Sequence, residues 1–378
     1  MWQWIDRDDI FAAWWASVRE EEEYAVDTES DGVHSYRPRL CLMQVATRGQ
    51  VALLDLLALG EASIAILREF LSDAQRFKVF HSAANDLLSL QRDYQIHAQG
   101  LFDTEIAAGF LALPGRGLSA LLERFFGLQI TKQFQMLDWS IRPLSEEALA
   151  YAATDVRHLL ELKDLLLDQL EERGWLDAAL EESRNVTQQT LYEEKVFEPS
   201  GFLRLKGAKE LSARQLQTLH ALYMARHLIC EEINKAAFLV APDHALIEMA
   251  LREPRTIKDL SALRGMKPAQ IRQYGPLLIE AVVRSQGPLR PLPKKPRTQK
   301  GHVSEPVLDV QHFDRLRDWR NALAEAEGIE GGLLFSGQLL KNCLLHRPRD
   351  LVSLAKVPGM SGWRVRRYGR ALLDALQN

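Results

Sequence analysis

The second half of the chain repeats itself. A shift of 94 residues carries Pro254-Arg255 onto Pro348-Arg349, Leu260 onto Leu354, Gly265-Met266 onto Gly359-Met360 and Tyr274-Gly275 onto Tyr368-Gly369, without a gap. From Leu211 onward the apolar residues recur at helical spacing, and no stretch alternates as a strand would. Two copies of one small all-α domain are therefore expected, over 210–286 and 309–378, preceded by a connector over 191–209. Between the copies, Gly287-Pro288-Leu289-Arg290-Pro291-Leu292-Pro293-Lys294-Lys295-Pro296-Arg297 holds four prolines and four positive charges. That composition favours an extended basic linker over 287–308, which would let the copies move semi-independently.

The first 190 residues read differently. Tyr24-Ala25-Val26-Asp27-Thr28-Glu29 suits a strand with Asp27 and Glu29 on one face. Leu40–Val45 and Val51–Asp55 are β-rich runs joined by Thr47-Arg48-Gly49-Gln50, which predicts a hairpin. Helical spacing follows through Leu59, Ile64, Leu67, Phe70 and Leu71, then a short strand at Phe77-Lys78-Val79-Phe80 and a helix from about Ala84. Ser145, with Glu146 and Glu147 behind it, predicts the start of one long helix whose apolar stripe runs to Leu170 and which ends at Gly174. An adjacent hairpin must be antiparallel, so the order implies an α/β domain with a mixed sheet over 1–190.

Charge divides along the same line. Residues 1–194 hold 17 Lys+Arg against 33 Asp+Glu, and 195–378 hold 30 against 18, for a net charge of -4. An acidic half followed by a basic half suits a polyanionic partner; the alternative is uneven solvated surface. The three cysteines, Cys41, Cys230 and Cys343, form no CxxC pair, which disfavours structural zinc and a disulfide framework and points to a reducing compartment. The opening MWQWIDRDDI has no basic stretch followed by an apolar run, and no 18 consecutive apolar residues occur, so secretion and membrane spanning are not expected.

Asp27 and Glu29 lie within an apolar strand, where carboxylates are costly unless a cation is bound. Asp86 follows the short strand at 77–80, and Asp155 shares a helix face with Tyr151. Oxygen ligands without a His/Cys set suit Mg²⁺ or Mn²⁺ better than zinc. Two such ions about 4 Å apart would support phosphodiester hydrolysis. Another metal-dependent hydrolysis, or ordinary surface acids, remain alternatives on the residues alone.

Asp27-Thr28-Glu29, His81-Ser82-Ala83-Ala84-Asn85-Asp86 and Tyr151-Ala152-Ala153-Thr154-Asp155 resemble the three motifs of the DEDD 3'-5' exonuclease superfamily, in its Tyr branch. Asp138-Trp139-Ser140-Ile141-Arg142-Pro143-Leu144 and the repeated C-terminal domain are similar to the bacterial ribonuclease D family, whose members carry two HRDC domains. The resemblance spans essentially the whole chain. It implies an RNase H-like exonuclease fold, two divalent ions held by Asp27, Glu29, Asp86 and Asp155, and Tyr151 orienting the attacking water. The His branch places a histidine where this chain has Ala150, and His158 does not replace it. Asn85, where the superfamily has an aromatic, departs from the second motif and bears on Asp86.

The resemblance further implies a cytoplasmic, monomeric 3'-5' exoribonuclease that releases nucleoside 5'-monophosphates and matures tRNA precursors bearing 3' extensions. A DNA exonuclease and a non-catalytic nucleic-acid adaptor are the rivals. Thr28 could face the terminal nucleotide or merely satisfy strand propensity. Arg37, Arg39, Arg116 and Lys132 are candidate phosphate contacts, against the alternative of solvated charge. Asp103 reads as a helix cap, His81 as a core or supporting histidine, and Cys41 as packing. In the repeats, Arg272, and then Arg364, Arg366, Arg367 and Arg370, could hold phosphates, or these domains could simply pack on the catalytic unit.

Overall fold

A computed structural model of the chain describes residues 2–130, 133–194, 196–293 and 309–377. Lys132 and residues 294–308 of the expected linker lie outside the described residues. The described chain forms two compact units, one of residues 2–29, 40–193 and 309–377, the other of 30–39 with 194 and 196–293.

The first unit is built on six strands: β1 (Gln3–Ile5), β2 (Glu23–Ser30), β3 (Leu40–Ala46), β4 (Val51–Asp55), β5 (Phe77–Phe80) and β6 (Leu101–Asp103). They lie in the order β1-β4-β3-β2-β5-β6. The expected hairpin is present: β3 and β4 pair antiparallel, and Thr47 N–H donates to the Gln50 carbonyl at 2.9 Å to close the turn. β1 pairs with β4, β5 with β2 and β6 with β5 in parallel, so the sheet is mixed. Sequence periodicity missed β1 and β6, whose three residues each are too short to show it.

Every residue of β3 and β4 is buried, because helices cover both faces of the sheet. One face carries α1 (Asp8–Val18), α2 (Glu61–Ser72) and α3 (Ala84–Tyr94), with Phe11, Trp14, Leu67, Phe70 and Leu90 in the shared core. The other carries α4 (Thr104–Phe110), α5 (Leu118–Phe126), α6 (Glu146–Arg157), α7 (Leu159–Glu172) and α8 (Leu176–Gln189). The long helix expected over 145–174 is two helices. At His158 (φ −109°, ψ 3°) the chain turns, so that α6 packs on β3 and β4 while α7 packs on β5 and α4. Its apolar stripe runs through the break with neither Gly nor Pro to mark it.

The second unit contains α9 (Ala213–Ile233), α10 (Ala237–Val240), α11 (Asp243–Arg252), α12 (Ile257–Ser261) and α13 (Pro268–Arg284). A capping box of Ser212 and Gln215 opens α9. Residues 30–39 join this unit through the Tyr36 hydroxyl, 2.7 Å from His227 Nδ1, and Ala236 N–H, which donates to the His34 carbonyl.

The same five-helix order recurs in the first unit as α14 (Val310–Glu327), α15 (Gly331–Leu334), α16 (Gly337–His346), α17 (Leu351–Leu354) and α18 (Gly362–Gln377). The repeated Tyr-Gly pair has a packing cause. A Cβ at Gly275 would stand 3.1 Å from Leu260 Cδ2 and Ile257 Cδ1, and one at Gly369 only 2.6 Å from Leu351 Cδ2. Each glycine lets the last helix of its copy approach the short helix before it. Among the described residues no helix is long and apolar enough to cross a membrane.

Candidate active site

Three elements bring the acids together. β2 carries Asp27 and Glu29 two residues apart, which puts them on one face. Asp86 sits in the first turn of α3, and α6 presents Tyr151 and Asp155 one turn apart. All five line one open cleft of about 740 Å³, together with Thr28, His81, Ser82 and Asn85. Oxygens of Asp27, Glu29 and Asp155 lie within 4.8 Å of one another. Asp86 is tied to the strand by the Thr28 hydroxyl, which donates to its Oδ1 at 2.5 Å.

The supports are local. Asp103 caps α4 by accepting from Glu105 N–H at 2.9 Å. The same carboxylate accepts from Ser82 and Ala83 N–H, each at 2.9 Å, and so fixes the turn into α3, where Ser82 has a positive φ of 60°. His81 Nδ1 meets the Thr104 hydroxyl at 2.9 Å. The Tyr151 ring lies beside Phe134 (5.5 Å) and stacks with Trp139 (6.3 Å). Arg142 anchors the segment carrying Trp139, with Nη2 and Nε donating to Asp55 at 2.6 and 2.7 Å and Nη1 to the Trp139 carbonyl at 2.7 Å.

Burial is the main force on the titration of this cluster. It pushes Asp27 up, helped by repulsion from Asp155, and it pushes Glu29 up, helped by Asp27, Asp155 and Asp86. Asp86 and Asp155 are raised by burial as well. Among the described residues, no cationic side chain contributes to any of the four shifts. Burial and then the charges of Asp155, Glu29 and Asp27 raise the Tyr151 phenol above its ordinary 10, so it remains a hydrogen-bond donor, and Asp155 accepts from it.

The candidate phosphate contacts fall elsewhere. Arg37 pairs with Glu231 in the second unit, and Arg39 N–H donates to Asp31 at 2.6 Å. Arg116 meets Glu330 at 3.2 Å. Arg116 does not line the cleft. Residues that sequence reasoning missed do line it: Gly115, Gly117, Leu118, Ser119, Glu123 and Gln135. The Pro114-Gly115-Arg116-Gly117 turn signal could have drawn attention to this loop, but nothing in it announces which side chains face the acids.

Comparison with known proteins identifies the family. The family model described as 3'-5' exonuclease matches residues 2–171, and the HRDC domain model matches 215–282 and 310–376. Ribonuclease D of Cronobacter turicensis is 30% identical over 381 residues, covering 99% of this chain and 100% of that protein. Exosome complex exonuclease RRP6 of Saccharomyces cerevisiae is 31% identical over 292 residues, 74% of this chain. The match spans only 40% of the yeast protein and 29% of the human exosome complex component 10. The crystal structure of Escherichia coli RNase D, described as an exoribonuclease involved in structured RNA processing, superposes with a TM-score of 0.65 at 27% identity, covering 100% of this chain and 99% of that one. Matched from end to end by ribonuclease D, with an exonuclease domain ahead of two HRDC domains, the chain belongs to the ribonuclease D family of 3'-5' exoribonucleases.

Proposed function

We propose that this chain shortens RNA from its 3' end one nucleotide at a time at the Asp27, Glu29, Asp86 and Asp155 cluster, using two divalent ions, Mg²⁺ or Mn²⁺. The observation that carries the reading is four carboxylates and Tyr151 lining one cleft in which, among the described residues, no Lys or Arg stands. The fit to hard divalent ions rests on the donor set, which is oxygen only, and on repulsion among the acids that a dication relieves. Bound ions would lower the pKa of a water and stabilise the departing 3' oxygen.

The chain's own groups do the rest. Asp27, Glu29 and Asp155 converge on one point, and Asp86, which accepts from the Thr28 hydroxyl, lines the same cleft. Tyr151, still protonated, orients the attacking water by hydrogen bonding and does not remove its proton. Water oxygen bonds to phosphorus as the bond to the 3' oxygen breaks, which leaves a nucleoside 5'-monophosphate and an RNA ending in a new 3' hydroxyl. The domain plan is an exonuclease domain over 1–190 and HRDC domains over 210–286 and 309–378. A cytoplasmic monomer acting on 3'-extended tRNA precursors is the physiological setting we infer. Its support is the full-length similarity to ribonuclease D.

The test is a time course on a 3'-extended tRNA transcript and a single-stranded DNA of matched tail, each with Mg²⁺ and with EDTA. We expect a metal-dependent ladder on the RNA that stalls near the acceptor stem. Equal or faster cutting of DNA would remove the RNA assignment, and binding without cutting would make the chain an adaptor. Tyr151→Phe should lower activity by roughly 10- to 100-fold, the loss expected when a hydrogen-bond partner of a metal ligand is removed.

A further inference from the structure

The second helical domain makes an unusual use of its basic residues. At the start of α18, Gly362 and Trp363 N–H groups both donate to the Glu181 carboxylate of α8, the Trp363 contact at 3.1 Å. Glu182 accepts from the Trp363 indole at 2.7 Å and from Arg364 Nη1 at 2.6 Å, and also from the Ser361 hydroxyl. Arg366 reaches Asp177 at 2.9 Å, and the Arg367 guanidinium lies 3.7 Å over the Trp175 ring. Carboxylates from the catalytic domain thus occupy the helix start and arginines that an RNA phosphate would otherwise seek. The dock is also apolar at its centre. Trp363, 1% exposed, meets Phe110 and Trp175 edge-on at 5.5 and 6.1 Å.

The first copy lacks this apparatus. Shifted back by 94 residues, Trp363, Arg364 and Arg367 become Ala269, Gln270 and Gln273. The two domains share a fold, and of the side chains that clamp α8 only Arg366 has a counterpart in the first copy, Arg272.

The next residue along α8 meets the end of β6. Ser183, fully buried, accepts from Asp103 N–H at 3.1 Å. Asp103 in turn holds the Ser82 and Ala83 N–H groups from which α3 starts, and α3 carries Asp86 in its first turn. One continuous set of contacts therefore runs from α18 through Glu181 and Glu182 to Ser183, Asp103 and the backbone ahead of Asp86.

We propose that the second HRDC domain is a built-in buttress of the metal site: its docking on α8 fixes Asp86 through Ser183 and Asp103, and it is not an RNA-gripping module. Ser183 and Asp103 are then positioning residues. The proposal rests on Asp86 being a metal ligand.

The test compares full-length wild type, Glu181→Gln/Glu182→Gln, Ser183→Ala and Asp86→Ala. Calorimetric titration with Mn²⁺ gives metal affinity, a short single-stranded RNA gives kcat and KM, and RNA retention in EDTA gives binding without chemistry. Circular dichroism and limited proteolysis report whether each variant is folded and whether residues 309–377 remain docked. Losing an outer partner of a metal ligand commonly weakens metal affinity 10- to 100-fold, and for this longer connection we expect about fivefold. Ser183→Ala should show that loss and a lower kcat with KM unchanged and the dock intact. The double variant should show the same loss with the dock loosened, and retain RNA as wild type does. A loosened dock with unchanged Mn²⁺ affinity and kcat overturns the proposal, as does RNA retention that falls while metal binding holds. Should Asp86→Ala leave Mn²⁺ binding unchanged, the ligand assignment fails and not the buttress alone.

Discussion

A carboxylate buried beside other carboxylates costs stability, as at Asp27. Burial and Asp155 raise its pKa to about 8, and Asp155 itself rises to about 7, whereas both sit near 4 in the unfolded chain. Between those limits the folded state binds more protons, so metal-free stability falls as pH rises from about 4 to 8. Metal binding displaces those protons and should stabilise more at pH 8.5 than at pH 5.5. Asp27→Asn removes the charge and keeps the shape. It should raise the metal-free Tm at pH 8 by roughly 2–4 °C for each kcal/mol relieved, while abolishing nucleotide release. Thermal melts with and without EDTA check both statements, and an Asp27→Asn Tm below wild type at pH 8 would refute the electrostatic account. That Asp27, Glu29, Asp86, Tyr151 and Asp155 share one cleft was legible in the sequence through the three short motifs that carry them. The ion pair of Arg142 with Asp55 was not, since its partners stand 87 residues apart and either acid or base alone reads as surface charge.

Elements were legible where local pattern and tertiary packing agree. The hairpin has turn chemistry, β-rich runs and an antiparallel partner, and the strand at 77–80 is bounded as expected. The break between α6 and α7 escaped because it is set by which strands each half meets, not by a breaker residue. β6 escaped through its length, yet it carries Asp103, so its placement matters to the site. Gly100 precedes it with φ +65°, and a Cβ there would collide with the carbonyl oxygen of Arg76 and stand 3.0 Å from that of Ala74. Backbone atoms cannot swing aside as a side-chain tip can. Gly100→Ala should therefore cost about 2–4 kcal/mol, from the left-handed conformation and the clash together. Urea denaturation measures the loss, and a midpoint unchanged from wild type would mean that the 74–76 turn yields freely. Because the strain enters at β6, nucleotide release should fall more than bulk helicity does at temperatures below the melt.

At the scale of the molecule, the repeat announced two copies of one domain, and the charge split suited a polyanionic partner. Neither announced that the copies differ in what their basic residues touch. Arg364, Arg366 and Arg367 are committed to α8, Trp175 and their neighbours. In the first copy, Arg252, Arg255, Lys258, Arg264 and Arg272 are exposed and form no ion pair among the described residues. Sequence-independent RNA affinity depends on cations free to displace counterions from phosphates, so it should be carried by the first copy. Neutralising a cation that contacts single-stranded RNA reduces the slope of log K against log salt by about 0.7. Arg255→Gln/Lys258→Gln/Arg272→Gln should flatten that slope by roughly 1–2, depending on how many of the three touch phosphate. Arg366→Gln, at an exposed edge of the dock, should leave the slope as it is in wild type. Filter binding in EDTA between about 50 and 200 mM salt separates the two cases without any contribution from cleavage. A slope that responds to Arg366 and not to the triple substitution would reverse the division of labour, and would mean that RNA competes with Asp177 and Glu181 for the start of α18.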